Sequence, residues 1–486
     1  MSEQKNLRKV VIEPITRVEG HGKVTLIVDD DHHIQQARLH IVEFRGFEKF
    51  IQGRPYWELP MVVQRLCGIC PVSHHLAAAK AIDEIAGVDQ ISEAATLLRN
   101  MLHWGQVLQS HALHFFHLAS PDLLFGFGSE VAQRNIIGVI DKYPELALKG
   151  VKIRKFGQEL IKAVSGKKIH GIAAIPGGMN QPMSSTDIAA LAAEIDVIVQ
   201  WCQDSVQAAK QLFLADPTHR DFASLTTPYL SLVGGNGELE LYDGNIRVKH
   251  SNGTLFKDQF DVHQYNQLIH EQVKSWSYMK FPFLVELGKD DGWYRVGPLA
   301  RINNCDLIST PLAETCRQDF MAHAAGNLFH STLAYHWARM IEALFCAEAI
   351  QKNLSHSNLQ SRDLARTGEK RFEGIGVIEA PRGTLFHHYQ IDEQDRVTRA
   401  NLIVSTTSNN QAMNESIRHV ANHYLDGHEL TEGLLNHIEV AVRAYDPCLS
   451  CATHAVGKMP LKIELVSTRE ELLSTIVRNS DGSVSQ

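Results

Sequence analysis

The stretch 65–75, "RLCGICPVSHH", sets Cys67 and Cys70 three apart, directly before Pro71 and two histidines. A second pair with the same spacing stands near the other end of the chain, Cys448 and Cys451 in "DPCLSCATH" (446–454). One CxxC lets two sulfurs reach a single ion, and a second completes four ligands. After Cys70 the pattern turns helical in "HHLAAAKAIDEIAG" (74–87), with Gly87 as its stop. Cys67 and Cys70 therefore stand at the positive end of a helix, which favours the thiolate that binds metal.

Upstream, residues 9–45 alternate apolar and polar positions and read as three antiparallel strands, with turns near Gly20–Gly22 and Asp29–Asp31. Downstream come long helical patterns at 91–118, at 185–215 (capped by Ser185 or Thr186), at 312–352 and at 431–446. Residues 217–310 read as short strands and turns, with a hairpin in "VGGNGELELYDGNIRV" (233–248), and 374–407 as further strands. The expected class is mainly α with peripheral β (α+β), a long-helix bundle with N-terminal antiparallel strands. Such bundles build metal sites from facing helices. That would join the two thiol pairs.

Lys and Arg total 47 against 55 Asp and Glu, a net charge of -8, which gives no basic excess for nucleic acid. No apolar run reaches the roughly 18 residues of a membrane span. The start, "MSEQKNLRKV", is polar, so the reading is a cytoplasmic protein without a transmembrane segment. In a reducing compartment, 8 cysteines point to thiols or metal ligands rather than disulfides. Cys202, Cys305, Cys316 and Cys346 read as small core residues. No GxGxxG or GxxxxGK[ST] nucleotide motif is present.

Spacing alone leaves three readings of the quartet. A structural zinc site usually pairs its CxxC motifs about 12–20 residues apart, unlike here. A thioredoxin-like CxxC needs a βαβ context that the flanks do not supply. A redox or catalytic metal fits, but soft thiolates suit nickel, iron, copper and zinc alike.

The flanks choose. "RLCGICPVSHH" and "DPCLSCATH" resemble the two cysteine motifs of nickel–iron hydrogenase large subunits. So do "TRVEGHGK" (16–23), "RGFEKFIQGR" (45–54), "PGG" (176–178), "RVGPLAR" (295–301) and "APRGTLFHHY" (380–389). "YDPCLSCATHAVGKMPL" (445–461) and "WSYMKFPFL" (276–284) resemble the cytoplasmic, bidirectional NAD-coupled branch in particular.

The resemblance implies the hydrogenase large-subunit fold as a single domain over 1–454. It implies reversible cleavage of H2 at a nickel–iron centre whose iron carries carbon monoxide and cyanide. Cys67 and Cys448 would be terminal nickel ligands, and Cys70 and Cys451 would bridge to iron. Glu19, which alone reads as a surface or capping glutamate, matches the family's proton-relay carboxylate beside Cys448. Arg382 would overhang the open metal position, with Asp446 and Asp122 as its acidic partners. Pro381 would shape the pocket of the diatomic ligands, and Thr406 would donate to a cyanide. His74 would hydrogen-bond Cys451; His75 is left without a role. Glu48, the backbone carbonyl of Leu402 and His454 would bind magnesium or another hard divalent ion. Partners implied are an iron–sulfur small subunit, flavin- and iron–sulfur-containing diaphorase subunits, a maturation chaperone and a nickel-dependent endopeptidase. The last would cut after His454 and remove 455–486, in which "PLKIELVS" could add a strand to another surface and the Ser-rich end reads as loose. The competing readings are a zinc-stapled scaffold and a coupling subunit of the respiratory-complex type, which shares the fold but lacks the metal-binding cysteines.

Overall fold

The alternating N-terminal segment forms three antiparallel strands, Arg8–Ile12, Gly22–Val28 and Ile34–Ile41, with Val10 opposite Leu26 and Leu26 opposite Ala37. Val24, Leu26, Val28, Leu39 and Ile41 turn into the core. The computed structural model describes residues 8–324, 328–453, 461–466, 472–478 and 483–485.

The long helical patterns fold as helices, with breaks. Residues 91–118 give the helix Glu93–Leu113, capped by the Ser92 hydroxyl, then a π-turn His114–Ala119 and a short helix Ser120–Phe125. Pro121 has no amide hydrogen and crowds the preceding turn, which the wider π-turn accommodates. The 185–215 pattern divides into Ser185–Ala192 and Ile195–Leu214, and the cap is Ser184, not Ser185 or Thr186. The 312–352 pattern divides into Pro311–His323 and Ala334–Asn353. Between them the Ser331 and Thr332 hydroxyls donate to the carbonyls of His219 and Ala223, drawing the chain away from helix. The last pattern is the helix Glu432–Ala444, capped by Thr431.

The helix Pro144–Ser165 has no counterpart among the expected helices. Its lysines and its internal Gly150 and Gly157 dilute the apolar stripe, although Pro144 at its start and Gly166 after its end mark its limits. The 233–248 hairpin forms as expected, with Val233 opposite Asn245.

At the C-terminal end, Leu461–Val466, Leu472–Arg478 and Val484–Ser485 pair with one another in a small antiparallel sheet. The strand 461–466 pairs on one side with 472–478 of the tail, and 472–478 is extended rather than loose; 479–482 and Gln486 lie outside the described residues.

One apolar cluster runs from Ile15 to Ala452 and takes in Cys67, Cys70, Cys448 and Cys451. The CxxC helix is Pro71–Ile85, and the strand Glu373–Ala380 lies directly on it. A Cβ on Gly376 would stand 1.9 Å from the Ala77 carbonyl oxygen, and one on Gly374 1.9 Å from that of Ala81. Only glycine permits that approach. Because the strand advances as the helix numbering falls, it delivers the turn at Pro381–Arg382 to the helix's first turn, beside Cys70.

Candidate metal centre

Cys67 ends the 3-10 turn Val63–Leu66 in an extended conformation, and Cys70 is the N-cap residue of the helix Pro71–Ile85. The Ile69 and Cys70 amides both donate to Cys67 Sγ at 3.2 Å. Burial opposes ionisation of Cys67, but hydrogen bonding from Cys70 and the charge of Arg382 bring it below the ordinary thiol range. Cys70 is pushed well above that range by its hydrogen bond with Cys67 and by burial. Within the pair, a second thiolate is costly until a cation arrives.

The far pair meets this one. The Cys67 and Cys448 sulfurs are 3.3 Å apart, Cys448 and Cys451 are at disulfide contact, and all four sulfurs lie within 4.8 Å of one another, buried. Among the described residues no other group of three or more His, Cys, Asp or Glu side chains converges in this way. Four buried sulfurs are a donor set for a soft transition metal.

A small cavity of about 10 Å³ opens against Cys70, Cys448 and Cys451, walled by His74, Pro381, Arg382 and Thr406. Arg382 donates through Nη2 to Asp446 Oδ1 at 2.9 Å and through Nε to the Asp446 carbonyl. Its Nη1 is buried without a hydrogen-bond partner among the described residues. A buried guanidinium nitrogen without an acceptor, on a cavity wall beside four sulfurs, suits an anionic ligand in that cavity. The turn that carries it is clamped by Arg301, which donates to the carbonyls of Ala380 at 2.9 Å and Pro381 at 3.1 Å and pairs with Glu342 and Glu379. The motif "RVGPLAR" thus holds the site from behind.

Thr406 accepts the Cys448 amide at 3.0 Å, leaving its own hydroxyl hydrogen free to donate. His74 lies one helical turn beyond Cys70, and its Nδ1 is 3.1 Å from His387 Nε2, whose ring meets the Tyr389 hydroxyl through Nδ1. Burial and then the Arg382 charge lower His74 to about 3, so it is neutral. His75 points away: Nδ1 meets the Pro60 carbonyl, and Nε2 accepts the amides of Ala173 and Ala174.

Glu19 comes to the site on the chain before the second strand. Its backbone bridges Cys448, and its Oε2 is 3.0 Å from Cys448 Sγ and 3.1 Å from the Ser450 amide. Asp122 takes a different place from the one expected. Its carboxylate binds Arg17, at 2.6 Å, and Arg443 rather than Arg382. Arg443 also donates to the Thr16 carbonyl, so Asp122 anchors the loop that carries Glu19.

Glu48 lies on the other flank. Its Oε1 accepts from the Leu402 amide at 2.9 Å and from Lys280 Nζ at 3.2 Å, and Lys280 also reaches Glu271 at 3.1 Å. The observed contact of Leu402 is through its N–H; on a strand the carbonyl of the same residue leaves on the same side. Glu271 Oε1 is buried without a partner among the described residues. Two carboxylates against one ammonium leave a negative charge and an unmet oxygen, which fits a hard cation. The Gly46 amide donates to the Thr453 carbonyl, bringing this motif to the edge of the described chain; His454 lies outside the described residues.

Arg301, His387, Lys280 and Glu271 were not singled out from the sequence. The first three stand inside motifs that the sequence does display, whereas Glu271 carries no local signal.

A family model described as nickel-dependent hydrogenase matches residues 45–124 and 236–454, and one described as HoxL-like matches 9–44. The chain is 44% identical to the NAD-reducing hydrogenase HoxS subunit beta of Cupriavidus necator, over 97% of this chain and 100% of that one. It is 40% identical to a chain of the vhc F420-non-reducing hydrogenase of Methanococcus voltae, over 93% of this chain and 96% of that one. A solved NAD+-reducing [NiFe]-hydrogenase in the H2-reduced state superposes with a TM-score of 0.91 at 54% identity, covering 93% of this chain and 100% of the solved one. The [NiFeSe]-hydrogenase of Dm. baculatum, at 22% identity and a TM-score of 0.75, shares the fold. With its four cysteines gathered at one buried point, the chain belongs to the nickel-dependent hydrogenase family, as its nickel–iron large subunit.

Proposed function

We propose that this chain performs the reversible heterolytic cleavage of H2 for an NAD-coupled complex in the cytoplasm. The observation that carries the reading is the convergence of four buried sulfurs on a cavity lined by Arg382, whose Nη1 has no partner among the described residues. Cys67 and Cys448 would hold nickel, and Cys70 and Cys451 would hold nickel and iron together. When bound, the two metals supply the soft, redox-active acceptor for the electron pair of H2. The chain's own residues handle the rest. Cys448 takes the proton at Sγ, and Glu19, 3.0 Å away, takes it onward. Arg382, held by Asp446, would offer its unpartnered Nη1 to a cyanide of the metal pair; Thr406 and Pro381 would complete that wall, and His74 would tune Cys451. Glu48, Glu271 and the Leu402 carbonyl, with His454, would hold magnesium or a similar ion.

Electrons leave through an iron–sulfur small subunit to a flavin-containing diaphorase; the C. necator relative's name, a subunit of an NAD-reducing hydrogenase, supports the coupling to NAD. We read residues up to 454 as one domain and 455–486 as a tail removed by a nickel-dependent endopeptidase once a chaperone has delivered the metals. In support, the solved chain is covered completely by 93% of this one.

An infrared spectrum of the complex purified with its partners tests the reading. Carbon monoxide and cyanide stretches are expected. Their absence in protein that has lost 455–486 overturns it in favour of a zinc-stapled scaffold.

A further inference from the structure

The Ile69 carbonyl, inside the first cysteine loop, accepts two hydrogen bonds from one helix. Gln106 Nε2 donates to it at 2.9 Å and Gln109 Nε2 at 2.8 Å. The two glutamines stand three apart on the helix Glu93–Leu113, so their side chains share a face. Both are buried. A carbonyl can only accept, so each glutamine turns its NH2 group towards Ile69. That leaves Gln106 Oε1 buried without a partner among the described residues. An unmet buried acceptor destabilises a fold, and a leucine in its place would avoid it. The helix Pro144–Ser165 presses on Gln109 so closely that a Cβ on Gly157 would stand 2.9 Å from Gln109 Cβ.

The Ile69 carbonyl and the Cys70 amide belong to one peptide unit, and that amide donates to Cys67 Sγ at 3.2 Å. Donors on a peptide oxygen draw electron density from its nitrogen and make its N–H the stronger donor, so hydrogen bonds in series reinforce one another. The series that starts at the two glutamines therefore ends on the Cys67 sulfur. The Ile69 amide, also 3.2 Å from this sulfur, belongs to the preceding peptide, whose carbonyl is that of Gly68.

We propose that Gln106 and Gln109 are positioning residues that act through the Ile69–Cys70 peptide to set the electron density on the Cys67 sulfur. The inference rests on the reading that Cys67 would hold nickel. A hydrogen bond to a thiolate weakens its donation to a metal, so the glutamine pair leaves the metal poorer in electrons and raises its potential. The same two bonds fix the loop between Cys67 and Cys70, which holds the two sulfurs in register. No covalent bond changes and no proton moves.

The complete complex is compared with its Gln106→Leu, Gln109→Leu and double variants by infrared spectroscopy, redox titration, nickel and iron analysis, and melting temperature. Each single variant should keep both metals at the parent content. Each should move the carbon monoxide stretch to lower wavenumber and the midpoint potential of the nickel to a more negative value, and the double variant should move both further. A merely structural role would shift the melting temperature and leave the bands where they are. A parent without carbon monoxide and cyanide bands sinks the hydrogenase reading and this inference with it. Parent bands that stay unmoved in both single variants overturn the inference alone, whatever happens to the melting temperature. Loss of the metals from both single variants also overturns it, because the glutamines are then needed for assembly rather than for tuning. If the double variant does not fold, the two single variants decide.

Discussion

At the scale of single residues, the site is a set of side chains whose neighbours leave one function open. The four sulfurs lie within 4.8 Å of one another, and each is irreplaceable because a hydroxyl is a poor ligand for a soft metal. Cys70→Ser or Cys451→Ser should abolish hydrogen turnover and the binding of two metals together, read by elemental analysis and by gas uptake; full turnover by either would refute the assignment. Arg382 spends Nε and Nη2 on Asp446 and keeps Nη1 for the cavity. Arg382→Lys retains the charge but loses the fork. Activity should fall about a hundredfold, the scale seen when one donor aimed at a reacting centre is lost, with the nickel content preserved.

At the scale of elements, the decisive contact is the strand Glu373–Ala380 lying on the CxxC helix Pro71–Ile85. Gly376→Ala puts a methyl 1.9 Å from the Ala77 carbonyl oxygen, so helix and strand must part. A loss of about 1–3 kcal/mol is expected in denaturant unfolding, together with lower activity because Arg382 and Cys70 separate. The same pair of elements is fastened at its far end by Glu84, which accepts the Ile375 amide at 2.8 Å and lies 2.6 Å from His263 Nε2. Hydrogen bonding to Glu84, opposed by partial burial and reinforced by Asp261, raises His263 from 6.5 to about 9. Because the folded-state pKa is the higher one, this contribution is complete below about 6.5 and is lost as pH rises through about 9. The melting temperature of the parent should therefore fall more between those two pH values than that of His263→Gln. An equal fall in both would mean that His263 contributes nothing to the pH dependence.

At the scale of the whole molecule, the centre joins segments from the two ends of the chain, and the second pair is followed by a tail with its own small sheet. On the proposed removal of 455–486, a site whose last two ligands precede that tail can stay open until the metals are in place. Intact-mass measurement of the matured protein should place its C-terminus at His454, and metal-starved protein should keep residues to Gln486. A matured, active protein that retains the tail would contradict this.

The sequence by itself determined the ligand set and the family: two CxxC pairs in specific flanks name the chemistry, because ligand type and spacing are local properties. It also determined most elements through their periodicity, the N-terminal strands and the Glu432–Ala444 helix among them. It did not reveal the Pro144–Ser165 helix, whose glycines and lysines blur the stripe, or the break at Ser331–Thr332, which depends on side-chain bonds to other parts of the chain. Only the tertiary structure decided that Asp122 serves Arg17 and Arg443 instead of Arg382, and that Glu271 and Lys280 flank Glu48. A carboxylate's partner is whichever cation the packed helices and strands bring within reach, and no spacing along the chain encodes that distance.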